Sequence, residues 1–222
     1  MVSEPLPMFP LSSVLFPGAT VPLRVFEERY LALVGHLLGI EDPAARVFGS
    51  VAIREGYEVG DHGSQSLYRV GVLLQMVEAE QRDDGTWSIL AVARERIVLD
   101  RLDTSGVFPR GEVTVRPDPE EDVPAEVLER VRATFTAYRA ALADVATDPW
   151  EGSLPRDPAY LSWALAAGVP LPMSDRQSLL ESPDTTARLR KITALLRAEL
   201  RAMNVIPSLP ATEVARTRWS PN

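Results

Sequence analysis

The stretch LPMFPLSSVLFPGATVPLRVFEERYLAL, residues 6–33, decides how the chain begins to fold. Two short apolar segments flank Pro17 and Gly18, and aromatic and charged residues follow them. Proline presets φ at the second position of a turn and glycine tolerates a positive φ at the third, so this pair predicts a type II turn between two strands. The second strand is expected to end at residues 21–23, before a helix over residues 24–38. The apolar side of that helix would carry Phe26, Tyr30, Leu33, Val34, Leu37 and Leu38, which recur at helical spacing.

The order of these residues resembles the opening of the Lon amino-terminal domain family, the substrate-recognition module at the front of Lon-type ATP-dependent proteases. The residues that carry the resemblance are Leu6, Pro7, Phe9, Pro10, Leu11, Val14, Leu15, Phe16, Pro17, Gly18, Pro22, Leu23, Arg24, Phe26, Glu27, Arg29 and Tyr30. In the second half it is carried by residues 161–167, 171–172 and 175–181 and by Asp184, Arg188, Leu189 and Leu196. The resemblance implies an α+β fold in which a PUA-like, partly closed β-barrel with one early helix precedes an α-helical subdomain.

The pattern of the first half independently favours short strands. Apolar runs that glycine interrupts predict strands over residues 47–53, 67–77, 87–93, 97–102 and 112–116. Residues 83–85, Asp-Asp-Gly, predict the turn of a hairpin, and residues 55–64 predict a loop. Several short strands and one early helix are typical of a small, partly closed barrel.

An acidic, proline-bearing stretch at residues 117–122 separates this pattern from helical periodicity. The sequence therefore predicts a PUA-like barrel domain over residues 1–116, a helical subdomain over 117–205 and a flexible tail over 206–222. One apolar helix face is predicted from Val127, Val131, Phe135, Tyr138, Leu142 and Val145, and another from Leu189, Ile192, Leu196, Leu200 and Met203.

Four helices are expected in the helical subdomain, and capping signals predict where three of them begin or end. A helix over residues 160–167 would end with Gly168 as its C′ residue. Ser174 and Gln177 fit a capping box at the start of a helix over residues 175–181. The last helix would begin at residues 182–184, with proline at its first position. A loop is expected at residues 148–152.

Composition excludes several classes of protein. The 222 residues contain no cysteine, which rules out disulfides, cysteine zinc sites and thiol nucleophiles. The start of the chain lacks a signal peptide pattern and no apolar run is long enough to span a membrane, so a soluble cytoplasmic protein is expected. Net charge is −8, and acidic residues outnumber basic ones on both sides of residue 116. Nucleic acid and membranes are therefore not expected partners.

The chemistry of a Lon protease is missing from these residues. Its ATPase would need a GxxxxGK[ST] loop and its peptidase a Ser-Lys pair, and neither pattern occurs. The one lysine, Lys191, is expected on a helix surface. The two histidines, His36 near a helix end and His62 in a loop, make a poor metal site. We expect no enzyme activity, no metal and no cofactor, and a stand-alone member of the family without ATPase or protease domains.

A cluster of aromatic and charged side chains is the candidate site, consisting of Phe16, Arg24, Phe26, Glu27, Arg29 and Tyr30. One interpretation is structural: the aromatic rings pack the barrel against the helix while Arg24 and Glu27 hold the joint between strand and helix. The other is functional. Phe16, Arg24, Phe26, Glu27 and Tyr30 would edge an apolar groove that takes an extended or unfolded polypeptide, because aromatic residues and arginine favour recognition surfaces.

Three functions follow, in order of preference. The first is a noncatalytic Lon N-terminal-like protein-binding module that recognises polypeptide substrates or docks to a partner machine. The alternative is an RNA-binding PUA-like protein, which rests on fold analogy and conflicts with the acidic charge. The third is a small hydrolase, in which His62 with Asp61 and Ser64 would have to form a triad.

Overall fold

A computed structural model of the chain describes residues 4–54, 67–143 and 153–205. The chain divides into two compact units, Met1–Pro117 and Asp118–Asn222, which we call the β unit and the helical unit. The domain bounds 1–116, 117–205 and 206–222 stay predictions. The expected loops at 55–64 and 148–152, the tail, Val145 and the hydrolase residues around His62 lie outside the described residues.

The β unit is built on one antiparallel sheet. Its strands are β1 (Leu6–Pro7), β2 (Thr20–Val25), β3 (Val47–Ser50), β4 (Val70–Gln81), β5 (Trp87–Asp103) and β6 (Arg110–Val115), with helix α1 (Glu28–Leu38) after β2 and a short 3₁₀ helix (Pro43–Ala45) before β3. The strand order is β1-β6-β5-β4-β3, and β2 pairs with β5. One of its apolar clusters contains Met8, Val51, Ile53, Leu67, Ile97 and Leu99.

The long strand β5 organises the sheet. It was expected as two strands, over 87–93 and 97–102, but it runs without interruption from Trp87 to Asp103. Its first part pairs with β2 and its last part with β6, while β4 pairs with it over residues 87–98. Register shifts interrupt the β4–β5 and β5–β6 ladders, and such irregularities let a long strand bend so that two partners share it.

The opening turn and the partial closure of the sheet agree with the sequence. Gly18 has a φ of +84°, and the Ala19 amide donates to the Phe16 carbonyl over 3.1 Å, as a type II turn requires. The sheet is open, with β1 and β3 at its two ends. Isolated parallel bridges nevertheless join the segment after β1 to β3 and the residues that follow it. The fold is thus α+β with a partly closed sheet, as predicted.

The prediction of a helix over residues 24–38 is wrong at its beginning. Arg24 and Val25 belong to β2 and pair with β5, and Glu27 keeps an extended backbone with φ −76° and ψ 135°. The ladder with β5 already binds the backbone groups that an earlier helix start would use. Phe26 therefore lies outside α1 and is exposed. The rest of the predicted face is confirmed, with Tyr30, Leu33, Val34 and Leu37 buried and Leu38 half-buried.

The helical unit contains four helices: α2 (Ala125–Ala143), α3 (Pro158–Gly168), α4 (Met173–Leu180) and α5 (Thr185–Val205). The described members of both predicted apolar faces are buried, apart from Leu200, which is half-buried. Helical periodicity therefore identified the inner faces of α2 and α5 correctly.

The predicted helix boundaries in this unit are wrong by a few residues. Gly168 is the last residue of α3 and does not adopt a positive φ, so it is no C′ residue. Ser174 lies inside the first turn of α4, whose N-cap is Pro172, and no capping box forms. The last helix is capped by Asp184, whose carboxylate accepts from the Ala187 amide at 2.6 Å. Several polar residues compete for each cap, and packing decides between them.

A buried polar network joins the start of the helical unit to α3 and α5. The Arg188 guanidinium, which is fully buried, donates to the Asp118 carboxylate at 2.8 Å and to the Ser162 hydroxyl at 2.8 Å. It also lies 3.3 Å from the centre of the Trp163 ring, whose indole N–H donates to Asp118 at 3.1 Å. The same carboxylate thus accepts from both side chains, which holds three separate segments of the unit together.

Candidate functional site

The joint between β2 and α1 faces the segment that follows β1 across a cleft in the β unit. The cleft has a volume of about 250 Å³. Its lining consists of Phe9, Pro10, Leu11, Ser12, Arg24, Val25, Phe26, Glu27, Arg29, Tyr30 and Ile53. The structure therefore brings four of the five predicted site residues, Arg24, Phe26, Glu27 and Tyr30, to one surface.

Phe16, the fifth predicted residue, does not line this cleft. Its side chain is only 1% exposed and belongs to the core of the β unit. It stands at the first position of the Pro17-Gly18 turn, where its carbonyl accepts the turn hydrogen bond. For Phe16 the structural interpretation is therefore the correct one.

Aromatic rings form the inner wall of the cleft. Phe9 and Tyr30 stack with their ring centres 4.0 Å apart and an angle of 13° between the planes, and Phe48 packs on Phe9 from 6.3 Å. All three side chains are buried. Phe26, in contrast, is 66% exposed, the exposure of a side chain that packs on little of its own protein. The cleft thus combines a fixed aromatic wall with one freely accessible ring.

The charged side chains of the cleft are paired with one another or with a nearby turn. Arg29 donates to the Glu27 carboxylate from Nε at 2.9 Å and from Nη2 at 2.6 Å, and its guanidinium lies 4.7 Å from the centre of the Tyr30 ring. Arg24 donates to Asp84, in the turn between β4 and β5, at 2.8 Å. These pairs neutralise the rim, so what the cleft offers a ligand is mainly aromatic and apolar surface.

Backbone geometry at the joint explains why α1 begins where it does. The Glu27 carbonyl accepts from the amides of Tyr30 and Leu31 at 2.9 Å, while the Glu27 carboxylate caps no amide. That carboxylate is free to bind Arg29 instead. The expected role of Glu27 in fixing the joint is therefore performed by its backbone, whereas Arg24 ties the end of β2 to the β4–β5 turn.

Two titratable groups near the cleft have shifted pKa values. Burial raises the pKa of the Tyr30 hydroxyl; the nearby Arg29 charge opposes the shift and Glu27 adds to it. Hydrogen bonds from the Thr86 side chain and backbone hold the pKa of Asp84 below its usual range, with a smaller contribution from Arg24. At neutral pH the Tyr30 ring is thus uncharged and Asp84 remains a carboxylate partner for Arg24.

Sequence reasoning missed the wall contributed by the segment after β1 and by Ile53. The Leu11 amide donates to the Val51 carbonyl at 3.1 Å and the Ile53 amide donates to the Leu11 carbonyl at 2.9 Å, which fixes this wall. Phe9 and Leu11 belong to the opening stretch, but no spacing rule places them against residues that come about twenty positions later or more. The bridges between the two ends of the sheet, which pair Met8 with Gly49 and Leu11 with Ala52, bring this segment beside Ile53.

Other residues considered from the sequence take no part in this cleft. The His36 ring, in the last turn of α1, packs 5.2 Å from the Phe108 ring. Lys191 is exposed on α5, as predicted, and donates to the Ser178 carbonyl at 2.9 Å. Within residues 4–54, 67–143 and 153–205, no three or more histidine or carboxylate side chains are grouped so that they could hold a metal ion.

The sequence matches the model of a known family. The family model for the ATP-dependent protease La (LON) substrate-binding domain matches residues 5–198. The chain belongs to this family. The resemblance of the opening stretch to Lon amino-terminal domains is therefore confirmed, and the match extends through α2, α3, α4 and most of α5.

Sequence relatives are Lon proteases. Lon protease 2 of Herpetosiphon aurantiacus is 28% identical over 204 residues, which is 90% of this chain and 24% of that protein. Lon protease 2 of Myxococcus xanthus is 26% identical over 227 residues, which is 98% of this chain and 27% of that protein. The chain spans about a quarter of the length of these curated relatives.

Solved structures show the same architecture. A Lon N-terminal domain protein from Xanthomonas campestris is 28% identical and superposes with a TM-score of 0.64, over 86% of this chain and 98% of that one. The N-terminal domain of a Mycobacterium avium complex Lon protease is 18% identical, with a TM-score of 0.62 over 87% of this chain and 98% of that one, and it supports the fold alone. Among the described residues, no helix has the length and apolar character needed to cross a bilayer.

Proposed function

We propose that this LON substrate-binding domain recognises extended or unfolded polypeptide segments at the cleft and catalyses no reaction itself. The observation that carries the proposal is the exposed Phe26 ring at the mouth of a cleft whose wall is the Phe9–Tyr30 stack. A large aromatic side chain exposed beside a preformed aromatic wall is typical of a recognition surface.

The size and charge of the cleft indicate what it would bind. Its volume of about 250 Å³ lies below the roughly 300–1,000 Å³ of pockets that enclose small molecules, and suits one or two amino-acid side chains of a longer ligand. Because Glu27 neutralises Arg29 and Asp84 neutralises Arg24, apolar and aromatic side chains would enter at little electrostatic cost. Unfolded chains expose such side chains, whereas folded proteins bury most of them.

The source of the bound polypeptide is the second part of the proposal. The family is named for the substrate-binding domain of an ATP-dependent protease, and the relatives are Lon proteases. We therefore propose that the bound segments belong to proteins destined for such a protease, and that docking to a partner machine is the alternative use of the same surface. Affinity capture followed by mass spectrometry would separate the two, since substrates would be many and unfolded and a docking partner would be one defined protein.

Binding of an unfolded protein to matched variants tests the cleft. The probe is a fluorescently labelled protein that stays unfolded after its disulfides are reduced and blocked, and the readout is fluorescence anisotropy. We expect Phe26→Ala to weaken binding by about 5- to 30-fold, as loss of an aromatic hot spot costs about 1–2 kcal/mol. Tyr160→Ala is the control, because Tyr160 is 58% exposed in the helical unit and lies outside the cleft.

Three results would contradict the proposal. They are no binding by the unmodified protein, equal losses for Phe26→Ala and Tyr160→Ala, and equal affinity for the folded form of the probe. Circular dichroism should show that both variants keep their helix content, because both side chains are largely exposed.

A further inference from the structure

A second surface, in the helical unit, carries a different chemistry. Between α2 and α5 runs a groove of about 160 Å³. Its lining consists of Glu126, Val127, Arg130, Arg190, Thr193, Ala194 and Arg197. We call it the arginine groove. Three guanidinium groups face one carboxylate there, which leaves two positive charges at neutral pH.

The floor of the arginine groove is closed and its walls are exposed. Val127 and Thr193 are buried, and the Thr193 hydroxyl donates to the Leu189 carbonyl at 2.9 Å. The floor therefore offers a ligand no free hydroxyl hydrogen. The side chains of Arg130, Arg190 and Arg197 are exposed, so recognition of an anion in the groove would come from these arginines.

The arginines of the groove differ from those of the cleft and of the buried network. Arg24 and Arg29 hold carboxylates at the cleft, and Arg188 holds Asp118 in the core. In contrast, the side chains of Arg130, Arg190 and Arg197 form no ion pair or hydrogen bond with any other residue that the structure describes. Three arginines that converge on one groove without an internal partner are arranged to bind an external anion.

The spacing of the arginines indicates the shape of that anion. Arg190 and Arg197 are two helical turns apart, which separates their backbones by about 10 Å along α5. In an extended polyproline-II segment, side chains three residues apart lie on the same side at about 9 Å. Two acidic side chains with that spacing would reach both arginines.

We propose that the arginine groove binds an acidic, extended segment of a partner polypeptide. The charge of the whole chain favours a short acidic segment over a nucleic acid. With a net charge of −8, the protein repels a long polyanion, whereas a short segment in the groove interacts mainly with charges within the Debye length of about 8–10 Å. The site is separate from the cleft, so either proposal can fail without the other.

A designed peptide tests this inference on the full chain. The probe is a fluorescein-labelled peptide of repeated Glu-Pro-Ala, in which proline favours the extended form, and the comparison peptide has glutamine in place of each glutamate. Anisotropy is measured at about 50 mM and about 300 mM NaCl, because added salt screens exposed charge pairs. We expect the glutamate peptide to bind at low salt, to weaken at high salt and to exceed the glutamine peptide.

Charge reversal locates the binding. We expect the double variant Arg190→Glu, Arg197→Glu to lose about ten-fold in affinity, since two favourable contacts become repulsive. The control is Arg156→Glu with Arg94→Glu, which makes the same charge change at two exposed arginines outside the groove. It should stay within about two-fold of the unmodified protein. If the first variant does not fold, Arg190→Gln with Arg197→Gln replaces it.

Three outcomes would overturn the inference. The first is no binding of the glutamate peptide at low salt, and the second is an equal loss in the control variant. The third is tighter binding of a single-stranded oligonucleotide that the groove variant abolishes, which would assign the groove to nucleic acid. The Phe26→Ala variant should bind the glutamate peptide normally, which distinguishes a failure here from a failure of the cleft.

Discussion

An ion pair in the β unit and an ion pair in the helical unit differ in how deeply they are buried. In the β unit, the Arg24–Asp84 pair leaves 62% and 50% of the two side chains exposed. In the helical unit, the Arg188–Asp118 pair leaves 0% and 20% exposed. The sheet is held by its ladder and an apolar cluster and carries the exposed Arg24–Asp84 pair at its surface, whereas the helices are held together partly by the buried Arg188–Asp118 pair.

This difference predicts how each unit responds to loss of a charge. An exposed pair contributes about 0–1 kcal/mol, because water competes for both partners. Removal of one partner of a buried pair costs several kcal/mol, since the other partner stays behind without its counter-charge. Loss of the arginine should therefore cost more at the buried Arg188–Asp118 pair than at the exposed Arg24–Asp84 pair, and the β unit should also be sensitive to substitutions that disturb strand spacing.

The largest expected effect is that of Arg188→Met. It removes the partner of Asp118, the hydrogen bond to Ser162 and the stacking on Trp163. We expect about 3 kcal/mol of lost stability, the lower end for a broken buried pair because Asp118 keeps some contact with water. Hydrogen exchange measured by mass spectrometry would show faster exchange in α3 and α5.

Arg24→Met is the matched control for the buried pair. It removes an arginine from an exposed pair and should cost less than about 1 kcal/mol. Equal destabilisation by the two substitutions would show that burial does not distinguish the pairs, and the comparison between the units would then fail.

The next largest effect is expected for Gly71→Ala, which tests the spacing between two strands of the β unit. A Cβ atom at Gly71 would lie 2.0 Å from the Ser50 carbonyl oxygen, so β3 and β4 would have to move apart. We expect about 2 kcal/mol of destabilisation, typical of overpacking in a closely packed interior. Urea denaturation followed by circular dichroism measures it.

Gly35→Ala is the matched control for this position. Gly35 is exposed on α1 and a Cβ atom there would meet nothing within 4 Å. Alanine favours the helix by about 0.5–1 kcal/mol over glycine, so this variant should be slightly more stable. A destabilised Gly35→Ala, or an unaffected Gly71→Ala, would contradict the packing seen in the β unit.

The smallest effect concerns the pKa of Asp84 at the surface of the β unit. Hydrogen bonds from Thr86 lower this pKa more than the Arg24 charge does. Because the folded-state pKa is lowered, the stabilising contribution is present above the unfolded value of about 3.9 and is lost as the pH falls through the folded value. NMR titration of the carboxyl carbon should show that Thr86→Ala raises this pKa more than Arg24→Met does.

Asp103 offers an internal control for the same measurement. Its pKa is lowered mainly by hydrogen bonds from the side chain and backbone of Ser105, the same kind of contact that Thr86 makes with Asp84. Ser105→Ala should raise the pKa of Asp103 and leave that of Asp84 unchanged. A larger shift of Asp84 from Arg24→Met than from Thr86→Ala would show that charge, not hydrogen bonding, sets its pKa.

Local signals predicted the fold well where one physical rule decided the structure. The Pro17-Gly18 turn and the inner faces of α2 and α5 follow from φ preferences and from helical periodicity. Errors occurred where several rules competed. Ser174 was predicted to cap α4 but lies inside it after the N-cap Pro172, and the start of α5, predicted at residues 182–184, is capped by Asp184.

The candidate site shows the same division. Arg24, Phe26, Glu27 and Tyr30 were predicted because they are close in sequence and chemically suited to recognition, and they do line one cleft. The burial of the Phe16 side chain could not be predicted in this way, since an aromatic residue in the same stretch can equally face the core. The three arginines of the groove were not predicted because they come from two helices that are far apart in the sequence.

By itself, the sequence determined the fold class, the family and the inner faces of the helices, because these depend on residue type and spacing along the chain. Tertiary structure alone decided that Phe26 is exposed while Phe9 stacks on Tyr30, and that Arg188 is buried on Asp118 while Arg190 lines an exposed groove. The physical reason is that exposure and pairing depend on which distant segments arrive beside a side chain. The pairing of β2 with β5 and the packing of α2 on α5 set those neighbours.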